Sequence, residues 1–305
     1  MTNALKISVV ICTYNRAAYI KDAMDSLYGQ TLPHEHFEVI VVNNNSTDGT
    51  QQVCESFIAT HSDAQFYYFN EPRQGASFAR NTGAAAARSP LLCFMDDDAV
   101  ADPDYLERIV TFFETHPDAG GLGGRIIPKY IPSEPVWMSH YVSSLVGHFH
   151  YSDEVSEFAP TKYPLESNMI IRKKDFDAIN GFNAALPGVV GTLRIGGEGK
   201  DFFLRLKQLG RTVYYDPAIR VQHVVETAKL TREYMYRVAS GIGRGERVRM
   251  KQKGGWAFFK KIVEYIFKLG ASVVLGIKYT LQGKPQRAMP VIRFRIDALK
   301  GLLNH

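Results

Sequence analysis

The sequence predicts an α/β fold: a doubly wound, mostly parallel sheet followed by a basic, amphipathic helical C-terminal extension. Three observations predict it. Short apolar runs alternate with helical stretches four times in the first hundred residues, and every run empties into a polar loop. The fourth run, Leu91-Leu92-Cys93-Phe94-Met95, leads directly into Asp96-Asp97-Asp98. Apolar runs without alternation belong to strands buried on both faces, and repeated strand–helix units place ligands along the carboxyl edge of the sheet.

The elements follow in order. Ile7–Cys12 is the first strand, ending at Thr13-Tyr14-Asn15-Arg16, and a helix from about Ala17 to Tyr28 stops at Gly29. Phe37–Val42 is the second strand; its loop, residues 43–49, is nearly all short polar side chains, and Thr50 opens the next helix. Gln65–Phe69 is the third strand, followed by Asn70-Glu71-Pro72-Arg73-Gln74-Gly75 and a helix through Ala87. The aspartate run is the fourth. On an extended strand Asp96 and Asp98 point to one side and Asp97 to the other. Three adjacent carboxylates repel, and a cation relieves the repulsion. The plain alternative is a solvated acidic turn before the helix that Asp102-Pro103 starts.

Composition bounds the rest. A chain of 305 residues with 45% apolar and 22% charged residues is globular, with one large α/β domain plus appendages or two domains. Cys12, Cys54 and Cys93 are an odd, scattered set, which fits buried thiols in a reducing compartment. With no leader-like stretch at the N-terminus, the expected location is cytoplasmic. The net charge of +5 is unevenly spread: residues 251–305 hold eleven Lys/Arg against Glu264 and Asp297. A mildly acidic body with a basic, apolar tail points to an anionic membrane surface, at the inner face of the cell membrane, rather than to nucleic acid.

Two glycine clusters are not nucleotide loops. Gly196-Gly197-Glu198-Gly199-Lys200-Asp201 has Asp201 where a phosphate loop needs Ser or Thr, and Arg194 where it needs the first Gly. Gly241-Ile242-Gly243-Arg244-Gly245 follows no predicted strand, and no Gly-x-Gly-x-x-Gly follows strand one. The helix from Glu198 to Leu209 is apolar nearly all round except for one stripe, Glu198, Asp201 and Arg205, which points at a site; Asp201–Arg205 as a simple helix ion pair is the alternative. Residues 130–163, rich in Pro and aromatics, form a lid near the site or a packed core.

The division falls at 1–230, the sheet domain, and 231–305, the helical region. Within the latter, Phe258, Ile262, Ile266 and Leu269 form one apolar stripe opposite Lys260, Glu264 and Lys268. A second, Ile292, Ile296, Leu299 and Leu303, faces Arg293, Asp297 and Lys300. The longest uncharged run, residues 269–277, is far short of the roughly 20 residues a spanning helix needs. Such helices lie in a membrane interface; a homodimer surface or a lid is the rival use.

Several motifs, in order, resemble family-2 glycosyltransferases of the GT-A fold. They are Ser8–Arg16, Asn45–Thr50, Gln74–Asn81, Phe94–Asp98, Ser167-Asn168-Met169 through Asn183, Gly197-Glu198 through Arg205, and Tyr215-Asp216-Pro217 through His223. The resemblance covers about residues 6–225. It implies inverting transfer of a sugar from a UDP-, GDP- or dTDP-linked donor to a hydroxyl of a glycan or lipid-linked acceptor, in cell-surface glycan or polysaccharide synthesis. It assigns the donor to Thr13, Tyr14, Asn15, Arg16, Asn43, Asn45, Arg73, Gly75, Arg80, Asp96 and Asp97. A Mn2+ or Mg2+ ion falls to Asp98, with Asp96 and His223. Two positions depart from the family pattern: Asn43 stands where an Asp is usual, and Gly199 where the second acid of a pair is usual. With Gly199 in place, Glu198 is the expected base and Asp201 the second choice. The same departures motivate the alternative, an inactive nucleotide-sugar-binding subunit of a glycan-assembly complex.

Overall fold

The computed structural model describes residues 4–304. The elements are β1 (Ile7–Thr13), α1 (Ile20–Tyr28), β2 (Phe37–Asn43), α2 (Thr50–Thr60), β3 (Phe66–Asn70), α3 (Ala76–Ala86), β4 (Leu91–Asp96), β5 (Ala99–Ala101), α4 (Tyr105–Thr115), β6 (Ala119–Tyr130), α5 (His140–Ser143), β7 (Ser156–Glu157), β8 (Asn168–Arg172), α6 (Lys173–Ala178), β9 (Gly188–Val190), β10 (Leu193–Ile195), α7 (Glu198–Gln208), β11 (Thr212–Val225), α8 (Arg232–Gln252), α9 (Gly255–Leu281) and α10 (Ala288–Leu303). The main sheet has the order β3-β2-β1-β4-β8-β6-β11-β5, with β7 on β11. Its first half is parallel, as β1 pairs with β2 and β4, and β2 with β3. β8 enters antiparallel to both β4 and β6, which makes the sheet mixed.

The chain divides into two compact units. The first holds residues 1–127, 149–184 and 199–223; the second holds 128–148, 185–198 and 224–305. The second unit thus holds the helices from residue 232 onward together with two earlier segments.

In the first unit β1, β2 and β4 are buried on both faces, β2 at every position, which is why these runs show no alternation; β3, at the sheet edge, is largely exposed. One core cluster includes Ile11, Met24, Val41 and Tyr105; the other includes Phe94, Phe182, Phe202 and Tyr215. The glycines of β6 let strands approach closely: a Cβ on Gly124 would lie 2.0 Å from the Ile219 carbonyl oxygen.

In the second unit α10 packs along α8 through small residues. A Cβ on Gly243 would sit 2.0 Å from the Ala298 oxygen, and one on Gly301 1.9 Å from the Ser240 oxygen. Both glycine clusters set aside above are packing devices: the Gly196 N–H donates to the Gly241 oxygen at 3.0 Å, and a Cβ on Gly245 would collide with Gly196. The apolar stripes differ from those expected. Phe258 and Ile262 pack inward against Tyr265, Ala298 and Leu302, whereas Phe259, Val263, Ile266 and Phe267 are exposed. Asp297 is buried and pairs with Arg232 at 2.6 Å, because close α8–α10 packing turns that face inward.

Candidate functional site

The acidic cluster forms where β4 stops. Strand geometry ends at Asp96, and Asp97-Asp98 form a turn into β5. The expected alternation therefore does not reach Asp97, and this is a correction: Asp97 does not face away. Arg16 Nε lies 3.7 Å from Asp97 Oδ1, and Arg16 Nη2 lies 3.7 Å from Asp98 Oδ2. β5 pairs antiparallel with β11, placing His223 opposite Ala99. That register brings His223 Nε2 to 3.0 Å from Asp98 Oδ1, with both side chains buried. Donor atoms of Asp96, Asp98 and His223 all lie within 4.8 Å of one another. On the far side Arg80 Nη2 lies 3.9 Å from Asp96 Oδ1, and its guanidinium sits 5.3 Å from the Phe182 ring centroid.

Asp96, Asp98 and His223 offer a donor set that could hold a cation. Burial first, and the Asp98 charge second, push the Asp97 carboxyl up to about 7 against the opposing pull of Arg16 and the Thr13 hydroxyl. Burial also pushes the Cys12 thiol up to about 12, so it stays neutral beside these carboxylates.

The loops at the ends of β1, β2 and β3 are knitted by amides. Asn15 and Asn45 adopt φ of 53° and 65°, a left-handed region that Asn tolerates. Asn15 Oδ1 accepts the Thr47 N–H at 2.7 Å, and Asn45 Nδ2 donates to the Pro72 oxygen. Asn43 donates to Asn70 Oδ1 at 3.2 Å and accepts from the Ser46 N–H at 3.0 Å. Asn44, which the sequence reading passed over, is the central tie: it donates to the Glu71 and Arg73 carbonyls and accepts from the Gly75 N–H. Gly75 has φ of 144° at the start of α3, a conformation for glycine alone. Arg73 forks onto Glu71 through two 2.8 Å bonds, while Tyr14 is exposed.

Asp201 pairs with Arg205 at 2.8 Å, and Arg205 also binds the carbonyls of Ile179 and Gly181. The ion-pair alternative is therefore realised at Asp201. Glu198 is the buried first residue of α7. A second carboxylate, absent from the sequence reading, stands at that helix start: Glu166 Oε1 accepts the Gly199 N–H at 2.6 Å. It fills the space a side chain on residue 199 would take, since a Cβ there would lie 2.3 Å from Glu166 Oε1. The signal was Gly199 itself, but no spacing rule links it to residue 166. Asn168 is also structural: it accepts from the Tyr105 hydroxyl and donates to the Arg125 and Ile219 carbonyls, pinning neighbouring strands.

Comparison with known proteins places this geometry. The sequence model described as "Glycosyl transferase family 2" matches residues 8–179. A glucosyl-dolichyl phosphate glucuronosyltransferase of Haloferax volcanii is 26% identical over 224 residues, covering 72% of this chain and 69% of that protein. A validoxylamine A glucosyltransferase of Streptomyces hygroscopicus is 36% identical, but over 34% of this chain and 24% of its own length. Among solved structures, the mannosyltransferase PcManGT from Pyrobaculum calidifontis, in complex with GDP-Man and Mn2+, superposes with a TM-score of 0.67 at 19% identity, covering 98% of this chain and 87% of that one. S. aureus TarS 1–349 with UDP-GlcNAc gives 0.55 at 20% identity, over 78% and 66%. These structural likenesses establish the GT-A fold.

Proposed function

The chain belongs to glycosyl transferase family 2, and from that premise we propose that it moves a sugar, with inversion, from a nucleotide-diphosphate donor to an acceptor hydroxyl in cell-surface glycan synthesis. The observation that carries this reading is the cluster of Asp96, Asp98 and His223, flanked by Arg16 and Arg80. Two carboxylates and one imidazole fit a divalent cation of the Mn2+ type; oxygen donors alone would suit Mg2+ better. A cation bound there supplies charge neutralisation for the diphosphate leaving group. Arg16 and Arg80 add positive charge at the same edge and orient phosphate oxygens. The loops tied by Asn43, Asn44 and Asn45 hold the nucleotide.

The acceptor hydroxyl loses its proton as it attacks, and a carboxylate at the start of α7 takes it. Glu198 is the assigned base. Glu166 is the second candidate, favoured by its carboxylate filling the space left by Gly199. Asp201 is bound to Arg205 and serves the helix. Glu166 also weakens the inactive-subunit reading, since the missing acid at 199 is not a missing carboxylate in space. The glucosyl-dolichyl phosphate named for the Haloferax relative supports a lipid-linked acceptor here. No helix among the described residues is long and apolar enough to cross a membrane, and the exposed apolar face of α9 supports attachment to a bilayer surface. Turnover of a panel of UDP-, GDP- and dTDP-sugars, with Mn2+, with Mg2+ and with EDTA, tests the assignment. Donor binding without turnover of any of them would favour the inactive subunit.

A further inference from the structure

Within the second unit α8, α10 and the segment around α5 line a half-open cavity of about 420 Å³, inside the roughly 300–1,000 Å³ range of small-ligand sites. Its walls are chiefly apolar and include Trp137, Leu145, Leu230, Met235 and Phe294. Its mouth carries Gln286, Met289 and Arg293, all exposed and on one face of the chain entering α10. The one acid in the lining, Asp297, is buried and neutralised by Arg232 at 2.6 Å. Arg293 has no ion-pair partner among the described residues, so the lining keeps a net positive charge at its open end. Five residues before Gln286, α9 ends at Leu281, which is 83% exposed.

An apolar chamber with a cationic, hydrogen-bonding mouth is complementary to an amphiphile with an anionic head. We propose that this cavity holds the hydrocarbon chain of a single-chain, phosphate-headed lipid, with Arg293 and Gln286 at the phosphate. A chamber of this volume takes one chain, which selects against two-chain phospholipids. The proposal deepens the lipid-linked acceptor reading and rests on it for the lipid's role, while binding itself is measured without any donor. An inactive transferase that binds the lipid would thus fail that reading and leave this one standing.

The chain has two tryptophans, Trp137 in the cavity wall and the exposed Trp256. Full-length Trp256→Phe protein therefore reports the cavity through Trp137 alone. Titration with farnesyl phosphate, below its micellar concentration, should shift Trp137 emission saturably. Affinity should fall about tenfold or more in Arg293→Glu and Met289→Asp, both surface changes. Farnesol and dioctanoyl phosphatidylglycerol should bind at least about tenfold more weakly, and inorganic phosphate should leave the emission unchanged. No saturable shift, equal affinity in Arg293→Glu, or equal affinity for the two-chain lipid would each overturn the proposal.

Discussion

His223 Nε2 lies 3.0 Å from Asp98 Oδ1, a contact fixed by backbone register because His223 pairs opposite Ala99, the residue after Asp98. Both side chains are buried, so the contact is not a solvated surface ion pair. Asp98→Asn should lower transfer by at least about 10²-fold, the usual scale for losing one electrostatic contact to the reacting group. It should also abolish the gain in nucleoside-diphosphate affinity that Mn2+ gives the parent protein, read by calorimetry with and without the ion. His223→Ala should act in the same direction. Activity undiminished by EDTA would sink the cation assignment.

The base is settled by three conservative variants. Glu198→Gln should leave donor binding intact and reduce transfer by roughly 10²–10⁴; if Glu166→Gln does so instead, Glu166 is the base. Asp201→Asn should chiefly destabilise, because it frees Arg205 from a helix pair while Arg205 still holds the Ile179 and Gly181 carbonyls. Its effect should appear in thermal melting more than in turnover. Gly199→Asp tests the same space from the other side: the new side chain must displace Glu166, an overpacking cost of typically about 1–3 kcal/mol.

The parallel half of the sheet was legible because its strands are uninterrupted apolar runs, and the aspartates mark where the fourth one ends. The antiparallel half was not. Gly120, Gly121, Gly123 and Gly124 dilute the apolar signal of β6, although they are what lets it lie so close to its neighbours. Asp97 was misplaced because strand periodicity was extended one turn too far. His223 was named from resemblance; only the β5–β11 register explains why it arrives at Asp98. Asn44 and Glu166 were missed since each acts through contacts distant in sequence. In the C-terminal helices the periodicity was real, but α9 is apolar on two faces, and sequence alone does not say which one is packed.

Acid should reveal the Glu71–Arg73 fork. The Arg73 bond, with the Thr82 hydroxyl and the Arg73 N–H, holds the Glu71 carboxyl down to about 2. A group depressed in the folded state stabilises above its unfolded value, near 4.3, and that stabilisation fades as pH falls towards about 2. Glu71→Gln should therefore melt lower than the parent at pH 7, with the gap closing between about pH 4 and pH 2. A gap independent of pH across that window would show that the fork contributes through packing alone.

The last prediction concerns α9. Trp256, Phe267, Val274 and Leu281 are 67%, 78%, 67% and 83% exposed, and Lys260, Lys268 and Lys278 run alongside them. Burying one Phe in a bilayer surface gains about 1.5–3 kcal/mol, and each Lys near anionic lipid about 1 kcal/mol, screened over roughly 10 Å at ordinary salt. Deleting the C-terminal helices does not isolate this effect, because α10 packs on α8 through Gly243 and Gly301. Surface substitution does: Phe259→Glu with Phe267→Glu and Val274→Glu should leave the melting temperature and nucleotide affinity unchanged while abolishing sedimentation with anionic liposomes. Lys260→Gln with Lys278→Gln should weaken binding about tenfold or more and flatten its salt dependence. If the triple variant still sediments but passes from dimer to monomer in light scattering, the exposed face of α9 joins two copies of the chain rather than one copy to a membrane.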